Sequence, residues 1–405
     1  TGAWGGILFS NSTTDNRIRY AIIEQARSTA GMVGITNSRL LLEQDEFGYT
    51  GTETLPPLRR VHINNSSVIV RNCVFTDVCK AGQAPTDNNS EHIWGAGILA
   101  GGEVLLEGNT FGRTPGHNDA FDFDSLPGQV EIPCIRNNHF LGGGDDALDL
   151  ETNAYIEGNV FENYVKDTYN LDPGESNVVS AGAGKQFVMV RNVIRNSDHA
   201  AQVKDNAYLT FLQNTVDSSK LSAIFFGVPP SAKGKGVLID GCIFRNSPTV
   251  LPLVDVGTVE IAIHHSIVPA VYLGLGVGNI DAAPLFVNTA SGDYHLRPGS
   301  PAIGTGPSGI DMGAMIPGGV VILSGPNTPT PSNTAAFTFF GAGMVSYRYR
   351  LDGGAFSAEQ PITQALTLSD LSEGPHKLEV IGCDFSSHWQ EIANGAVWEW
   401  TVDPE

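Results

Sequence analysis

Between Asn118 and Glu151 two heptapeptides, NDAFDFD and DDALDLE, align in register 27 residues apart. Apolar and acidic positions alternate in both. Phe121 falls on Leu148 and Phe123 on Leu150, while Asp119 falls on Asp146, Asp122 on Asp149 and Asp124 on Glu151. A period of two predicts β-strands with one buried face and one polar face. If the two strands stack, their carboxylates stack as well.

Related segments recur along the chain: RIRYAIIEQA from Arg17, VIVRNCVFTDV from Val68, VLLEGNTFGRT from Val104, PCIRNNHFLGG from Pro133, AYIEGNVFENY from Ala154, VMVRNVIRNS from Val188, LTFLQNTVDSS from Leu209 and VLIDGCIFRNS from Val237. Taking Leu106, Ile135, Ile156, Val190, Leu212 and Ile239 as strand centres, the steps are 29, 21, 34, 22 and 27 residues. Steps of this size, with almost no helix-period pattern, predict a solenoid of stacked strands. The recurring Asn72, Asn109, Asn138, Asn159, Asn192 and Asn214 are expected at corners, where Asn tolerates a left-handed backbone and can bond to its own kind in the next rung.

These repeats resemble the right-handed parallel β-helix families of the pectate-lyase-like superfamily. From Gly278 to Ala314 the sequence resembles the poorly repetitive endings of secreted bacterial β-helix proteins. A Pro-rich stretch, IPGGVVILSGPNTPTPSNT, then reads as a boundary. Beyond it, alternating strands are separated by Asp-Gly and Glu-Gly-Pro turns, and the YRLDGG and GPHKLEV strings resemble bacterial immunoglobulin-like modules. The expected fold is all-β: a right-handed parallel β-helix over residues 1–316, followed by a small immunoglobulin-like β-sandwich over residues 317–405.

Composition narrows the partners. Asp and Glu outnumber Lys and Arg 43 to 23, for a net charge of -20, which disfavours nucleic acid and anionic membranes. No apolar run is long enough to span a bilayer, so membrane insertion is not expected. The opening Thr1-Gly-Ala-Trp-Gly-Gly-Ile-Leu-Phe reads as the interior of a strand, and predicts a trimmed or mature part of a longer protein. Five cysteines show no metal-type spacing; a disulfide between Cys73 and Cys79 is one option and small buried hydrophobes another.

The acidic pair carries the candidate chemistry. Extended through SNVVSAG from Ser176 and DHAAQVK from Asp198, the outward columns read Asp122, Asp149, Ser180, Gln202 and Asp124, Glu151, Gly182, Lys204. Like charges opposite one another on neighbouring strands destabilise a sheet, and neither heptapeptide contains Lys or Arg. A bound cation, a shared proton or solvent exposure must compensate. Calcium accepts six to eight oxygens in irregular geometry; Asp122 and Asp149 are its expected ligands, with Asp145, Asp146, Asp119, Asp124 and Glu151 as additions. The Asp-Asp-x-x-Asp spacing of Asp145, Asp146 and Asp149 resembles the calcium site of family-9-type pectate lyases. That resemblance implies a neighbouring-rung acid, Asp119 or Asp122, and a Brønsted base, for which Lys204 is the candidate although it stands one outward position beyond the family's lysine column. His92, Trp94, His117, His199 and Gln202 are candidate substrate contacts.

The implied activity is binding, and calcium-assisted β-elimination, of an acidic extracellular polysaccharide by a secreted or cell-surface protein. A non-catalytic adhesion segment, joined to other surface-protein domains, is the rival from another class. A glycoside hydrolase using the Asp122–Asp149 pair is a further alternative, ranked lower because the Gly-His-Gly and Arg-Ile-Lys strings of polygalacturonase-type β-helices are missing.

Overall fold

A computed structural model describes the chain apart from residues 1–3, 27, 49–58, 80–89, 172–173, 228–231, 298, 316–319, 341–343, 385–388, 393–394 and 405. It divides into two compact units, Thr1–Ala283 with Gly304–Ala314, and Pro284–Ile303 with Met315–Glu405. The first is a parallel β-helix. Among the described residues its strands fall into three parallel sheets of nine, ten and nine strands, each strand pairing with the one three places on in the chain order except at the end of the ten-stranded sheet, where the step is two. Sheet 1 carries the acidic strands Phe121–Asp124 and Leu148–Glu151. Sheet 2 runs from Arg17–Arg19 to Glu260–His264, and sheet 3 from Ile22–Ile23 to Ile243–Arg245.

The inward columns are filled by apolar side chains, in places of one kind over several rungs. In sheet 3, Phe47, Phe75, Phe111, Phe140 and Phe161 stack ring on ring at 4.6–4.8 Å between centroids. At the corner between sheets 2 and 3, buried Asn109, Asn138, Asn159, Asn192 and Asn214 form a ladder in which each side-chain oxygen accepts from the backbone N–H and the amide of the preceding Asn, at 2.8–3.0 Å. The expected ladder holds for these five. Asn72 stands one place earlier, so Cys73 occupies that rung and its N–H donates to Asn109. The left-handed residue is the one before the ladder, as at Gly108, Asn137 and Gly158.

The ladder also corrects the register. Ile156 pairs with Met189 and Met189 with Phe211, so the steps between Leu106, Ile135, Ile156, Met189, Phe211 and Ile239 are 29, 21, 33, 22 and 28. Met189 and Phe211 stand three residues before their ladder Asn, as Leu106, Ile135 and Ile156 do. Val190 and Leu212 therefore point outward. No disulfide is formed among the described residues, so Cys73 and Cys79 are not bridged to one another.

The second unit contains a short hairpin, Phe286–Asn288 with Asp293–Leu296, and two antiparallel sheets of three and four strands. Phe337, Tyr347, Leu378, Val380 and Trp400 lie in its core.

Replacing Asn159 by Ala strands the buried Asn138 N–H and Ile135 carbonyl that it satisfies, each at a cost of about 1–3 kcal/mol. Asn159→Ala should lower solenoid stability by about 3 kcal/mol in urea denaturation, whereas exposed Asn288→Ala should change it by less than about 0.5 kcal/mol.

Candidate functional site

Sheet 1 presents two outward columns, and the turn before it a third, largely buried one. The first is His62, Trp94, Asp122, Asp149, Ser180, Gln202. Two residues further along each strand lies the second, Ala96, Asp124 and Glu151, extended by Gly182 and Lys204. The same register, carried to the turn before each strand, gives the third: Arg59, Glu91, Asp119, Asp146, Asn177, His199. Acids are stacked on acids in all three.

The turn column is the tightest. Carboxylate oxygens of Asp119, Asp145 and Asp146 lie within 4.8 Å of one another. Asp119 accepts the Asp146 N–H at 3.0 Å, and Asp146 accepts both the N–H of Asn177 (3.0 Å) and its amide (2.8 Å). His117 Nε2 is 3.0 Å from Asp145. The turn is compressed: a Cβ on Gly144 would stand 2.6 Å from Asp167 Oδ2, and one on Gly143 2.6 Å from Thr114 Oγ1. Two residues between the strands Val160–Glu162 and Asn177–Ala181 pack there, Asn170 donating to the Gly144 carbonyl at 2.9 Å and Ser176 Oγ to that of Asp145. The convergent acids are therefore the turn residues Asp119, Asp145 and Asp146. Asp122 and Asp149, expected as the leading ligands, lie outside that group and flank it on the strand face.

Burial and mutual repulsion push these acids up. Asp119 is held well above the usual carboxylate range by burial, then by Asp146, Asp149, Asp145 and Asp122. Asp146 is raised by burial, Asp145 and Asp149, against the opposing Asn177 bond and Lys204. Asp122 is pushed up to about 8 by burial, Asp149, Glu91 and Asp124, with neighbouring Trp94 opposing. Asp124 is raised by burial, Glu151 and Asp149, with Lys185 opposing.

Cations stand only at the margin. Burial pulls Lys204 down, but Asp149, Asp146, Asp205 and Glu151 outweigh it and hold its pKa up. Gly182 leaves it room, since a Cβ there would stand 3.3 Å from Lys204 Cε. Two buried acceptors beside the acids lack any hydrogen-bond partner among the described residues: Asn177 Oδ1, on the amide that binds Asp146, and Ser180 Oγ, next in column after Asp149.

Other expected contacts are placed differently. His92 is wholly buried between Phe75 and Phe111. Its Nδ1 accepts from Arg60 at 2.8 Å and its Nε2 donates to the Gly112 carbonyl at 2.9 Å, so it is a core residue and no sugar-facing wall. His199 is buried, bonded to Ser222 and stacked on Phe225, which removes it from that wall too. Trp94 is in the column but its face is covered by the Arg59 guanidinium at 3.8 Å, and Arg59 also pairs with Glu91 at 3.3 Å. Arg59, Glu91 and Asn177 were not anticipated. The signal for all three was available: Arg59 and Glu91 lie two positions before their strands and Asn177 opens its own, all in the column of Asp119.

Elsewhere on the solenoid, charge alternates. The sheet 2 column reads Arg19, Glu43, Arg71, Glu107, Arg136, Glu157, and that in sheet 3 reads Glu162, Arg195, Asp217, Arg245. Comparison of the chain with protein-family models, curated proteins and solved structures gave no match.

Because Asp119, Asp122, Asp124 and Asp146 bind protons more tightly when folded, the folded state holds more protons above the unfolded carboxylate value. Their stabilising contribution is present at low pH and is lost as pH rises from about 4 toward 8. In chelator, the solenoid melting midpoint should fall between about pH 5 and about pH 8.5, and Asp122→Asn should flatten that slope. A midpoint that climbs across the interval would contradict buried, mutually repelling acids.

Proposed function

We propose that the acidic face of sheet 1 binds calcium and, with it, an acidic extracellular polysaccharide that the protein cleaves by β-elimination. The observation that carries this reading is the stacking of acid on acid in one sheet of a solenoid in which a column of sheet 2 and one of sheet 3 alternate in sign. The donors are all oxygens, which suits a hard cation. Asp119, Asp145 and Asp146 would hold it, with Asn177 Oδ1 as a neutral donor. Asp122 and Asp149 flank the site, with Asp124 and Glu151 at its edge. Bound calcium would neutralise a uronate carboxylate and so acidify the adjacent C–H.

The chain's own residues supply the rest. Lys204 stands in register two rungs beyond Glu151, about 10 Å away, a span a sugar ring bridges. With calcium offsetting the acids that hold its pKa up, Lys204 would take the C5 proton as the amine while the C4–C5 double bond forms, the C4–O4 bond breaks and the departing oxygen takes a proton from solvent; as the ammonium it is held by the same acids. His117 orients Asp145. Arg59 fixes Trp94, the neighbour of Asp122 in the column, making both positioning residues. Gln202 offers an amide to a sugar hydroxyl beside Lys204. In this reading the protein belongs with secreted or cell-surface pectate-lyase-like β-helices, and its C-terminal unit is an immunoglobulin-like spacer.

One observation favours a second reading. Asp122, raised to about 8, stands beside Asp149 on the next strand, as an acid and a base or nucleophile would in a glycoside hydrolase.

The two give different products. On polygalacturonate or alginate with calcium, elimination yields an unsaturated sugar seen by ultraviolet absorbance, whereas hydrolysis yields reducing ends without it. Lys204→Ala should cost a lyase about a hundredfold or more, and Asp146→Asn should weaken calcium binding measured by calorimetry. Calcium and polysaccharide binding without either product would leave an adhesive role.

A further inference from the structure

Sheet 2 carries an apolar stripe on its outer face. In register from rung to rung, Leu41, Ile69, Leu105, Cys134, Tyr155 and Val188 point outward; Leu105 is only 7% exposed and the other five are half-buried. Beside it runs the charged column Arg19, Glu43, Arg71, Glu107, Arg136, Glu157. A half-buried apolar stripe with a charged column along its edge has the make-up of a contact with another macromolecule. Three features specify which one.

First, six alternating charges read in reverse are their own complement. A two-fold axis lying in the contact plane, perpendicular to the solenoid, keeps each column on its counterpart and reverses the order of the rungs. Placed between the rungs of Arg71 and Glu107, it sets Arg19 against Glu157 of the second copy, Glu43 against Arg136 and Arg71 against Glu107. Every contact is opposite in sign.

Second, the same axis brings Leu41 opposite Cys134, Ile69 opposite Leu105, and Arg17 opposite the Tyr155 ring. Arg17 and Leu41 share this column. Apolar groups thus meet apolar groups and a cation meets an aromatic face.

Third, a cavity of about 350 Å³ opens on this face, lined by Thr13, Asp15, Arg39, Leu41, Ile69 and Glu103 among others. Arg39 is in the second rung of the column that ends, in the fifth, at Ile132. Reversal about the axis sends the fifth rung to the second. Ile132 is 45% exposed and its loop neighbour Val130 83% exposed, so an unexplained apolar knob faces an unfilled hollow.

We infer that sheet 2 is a self-association surface, on which a second copy of this chain packs antiparallel about that axis. The interface is isologous, as expected for a two-fold dimer. This inference is independent of the function proposed for sheet 1.

Light scattering of the whole chain across a concentration series should approach twice the 43.0 kDa chain mass. Glu43→Arg and Arg136→Glu should each weaken association by at least about tenfold, because each homodimer then carries two like-charge contacts. An equimolar mixture of the two variants should restore the dimer. The cation introduced at position 43 of one chain then faces the anion introduced at position 136 of the other, and the wild-type pair remains on the other side of the axis. That restoration separates the contact from any folding defect.

A second probe uses the native thiol. Leu41→Cys should be joined to Cys134 of the second copy by a short bis-maleimide, each thiol adding across one maleimide double bond, because residues opposite one another across packed sheets lie about 10 Å apart, beyond the reach of a direct disulfide. Within one chain these positions are three rungs, about 14 Å, apart, a longer span than the one across the interface. Adding Cys134→Ser should abolish the link. A wild type that stays monomeric at the highest soluble concentration, a mixture no more associated than its components, or a cross-link that survives Cys134→Ser would overturn the arrangement.

Discussion

The structure depends on one constraint: every side chain in a parallel solenoid stands about 4.8 Å from its counterparts in the rungs before and after. No residue can be chosen alone, because its neighbours in the column share its environment. Only a few solutions are stable. Aromatic rings stack, as from Phe47 to Phe161. Asparagines satisfy one another, as from Asn109 to Asn214. Charges alternate, as from Arg19 to Glu157, where Glu107 lies between Arg71 at 2.8 Å and Arg136 at 2.7 Å.

Sheet 1 uses none of these solutions between Asp119 and Glu151. Two carboxylates about 5 Å apart repel by about 3 kcal/mol at an effective dielectric near 20, comparable with deleting a buried aliphatic side chain. The fold tolerates this because the acids take up protons or share what neighbouring cations they have. Lys204 and Lys185 lie at the face's edge, and His117 holds one member of the turn group. The arrangement stores unfavourable energy that any positively charged ligand would release, and Asn177 Oδ1 and Ser180 Oγ remain as acceptors without donors. Local conflict in an otherwise consistent sequence is the usual mark of a site selected for something other than stability.

Much of this was legible in the sequence, for a physical reason. A period of two fixes faces, and a solenoid fixes which faces meet, so the pairing of Asp122 with Asp149 and Asp124 with Glu151 followed from the heptapeptides. The pattern failed where both faces of a strand are apolar. In QFVMV and YLTFL alternation cannot choose between Met189 and Val190, or between Phe211 and Leu212; the distance to the ladder Asn does. It failed again at the turns. Which acids converge depends on the compression at Gly143 and Gly144 and on the packing of Asn170 and Ser176 there, and neither has a period. His92 looked like a surface loop residue because nothing in its own segment reveals that Arg60, a rung away, meets it inside the core.

The two outer faces also divide their roles by polarity. Sheet 2 cancels its charges within the column and leaves an apolar stripe, a surface whose desolvation costs little and which suits a macromolecular contact. Sheet 1 leaves its charges uncancelled, and desolvating them against a second protein would be prohibitive unless that protein brought matching cations. A small, strongly charged ligand meets that requirement at far lower cost than a protein surface does. Because sheets 1 and 2 are different faces of one solenoid, association through sheet 2 leaves the acidic columns of both copies open to solvent. On the two proposals made above, the same stacking rule would yield a contact surface where its demands are met and a binding surface where they are not.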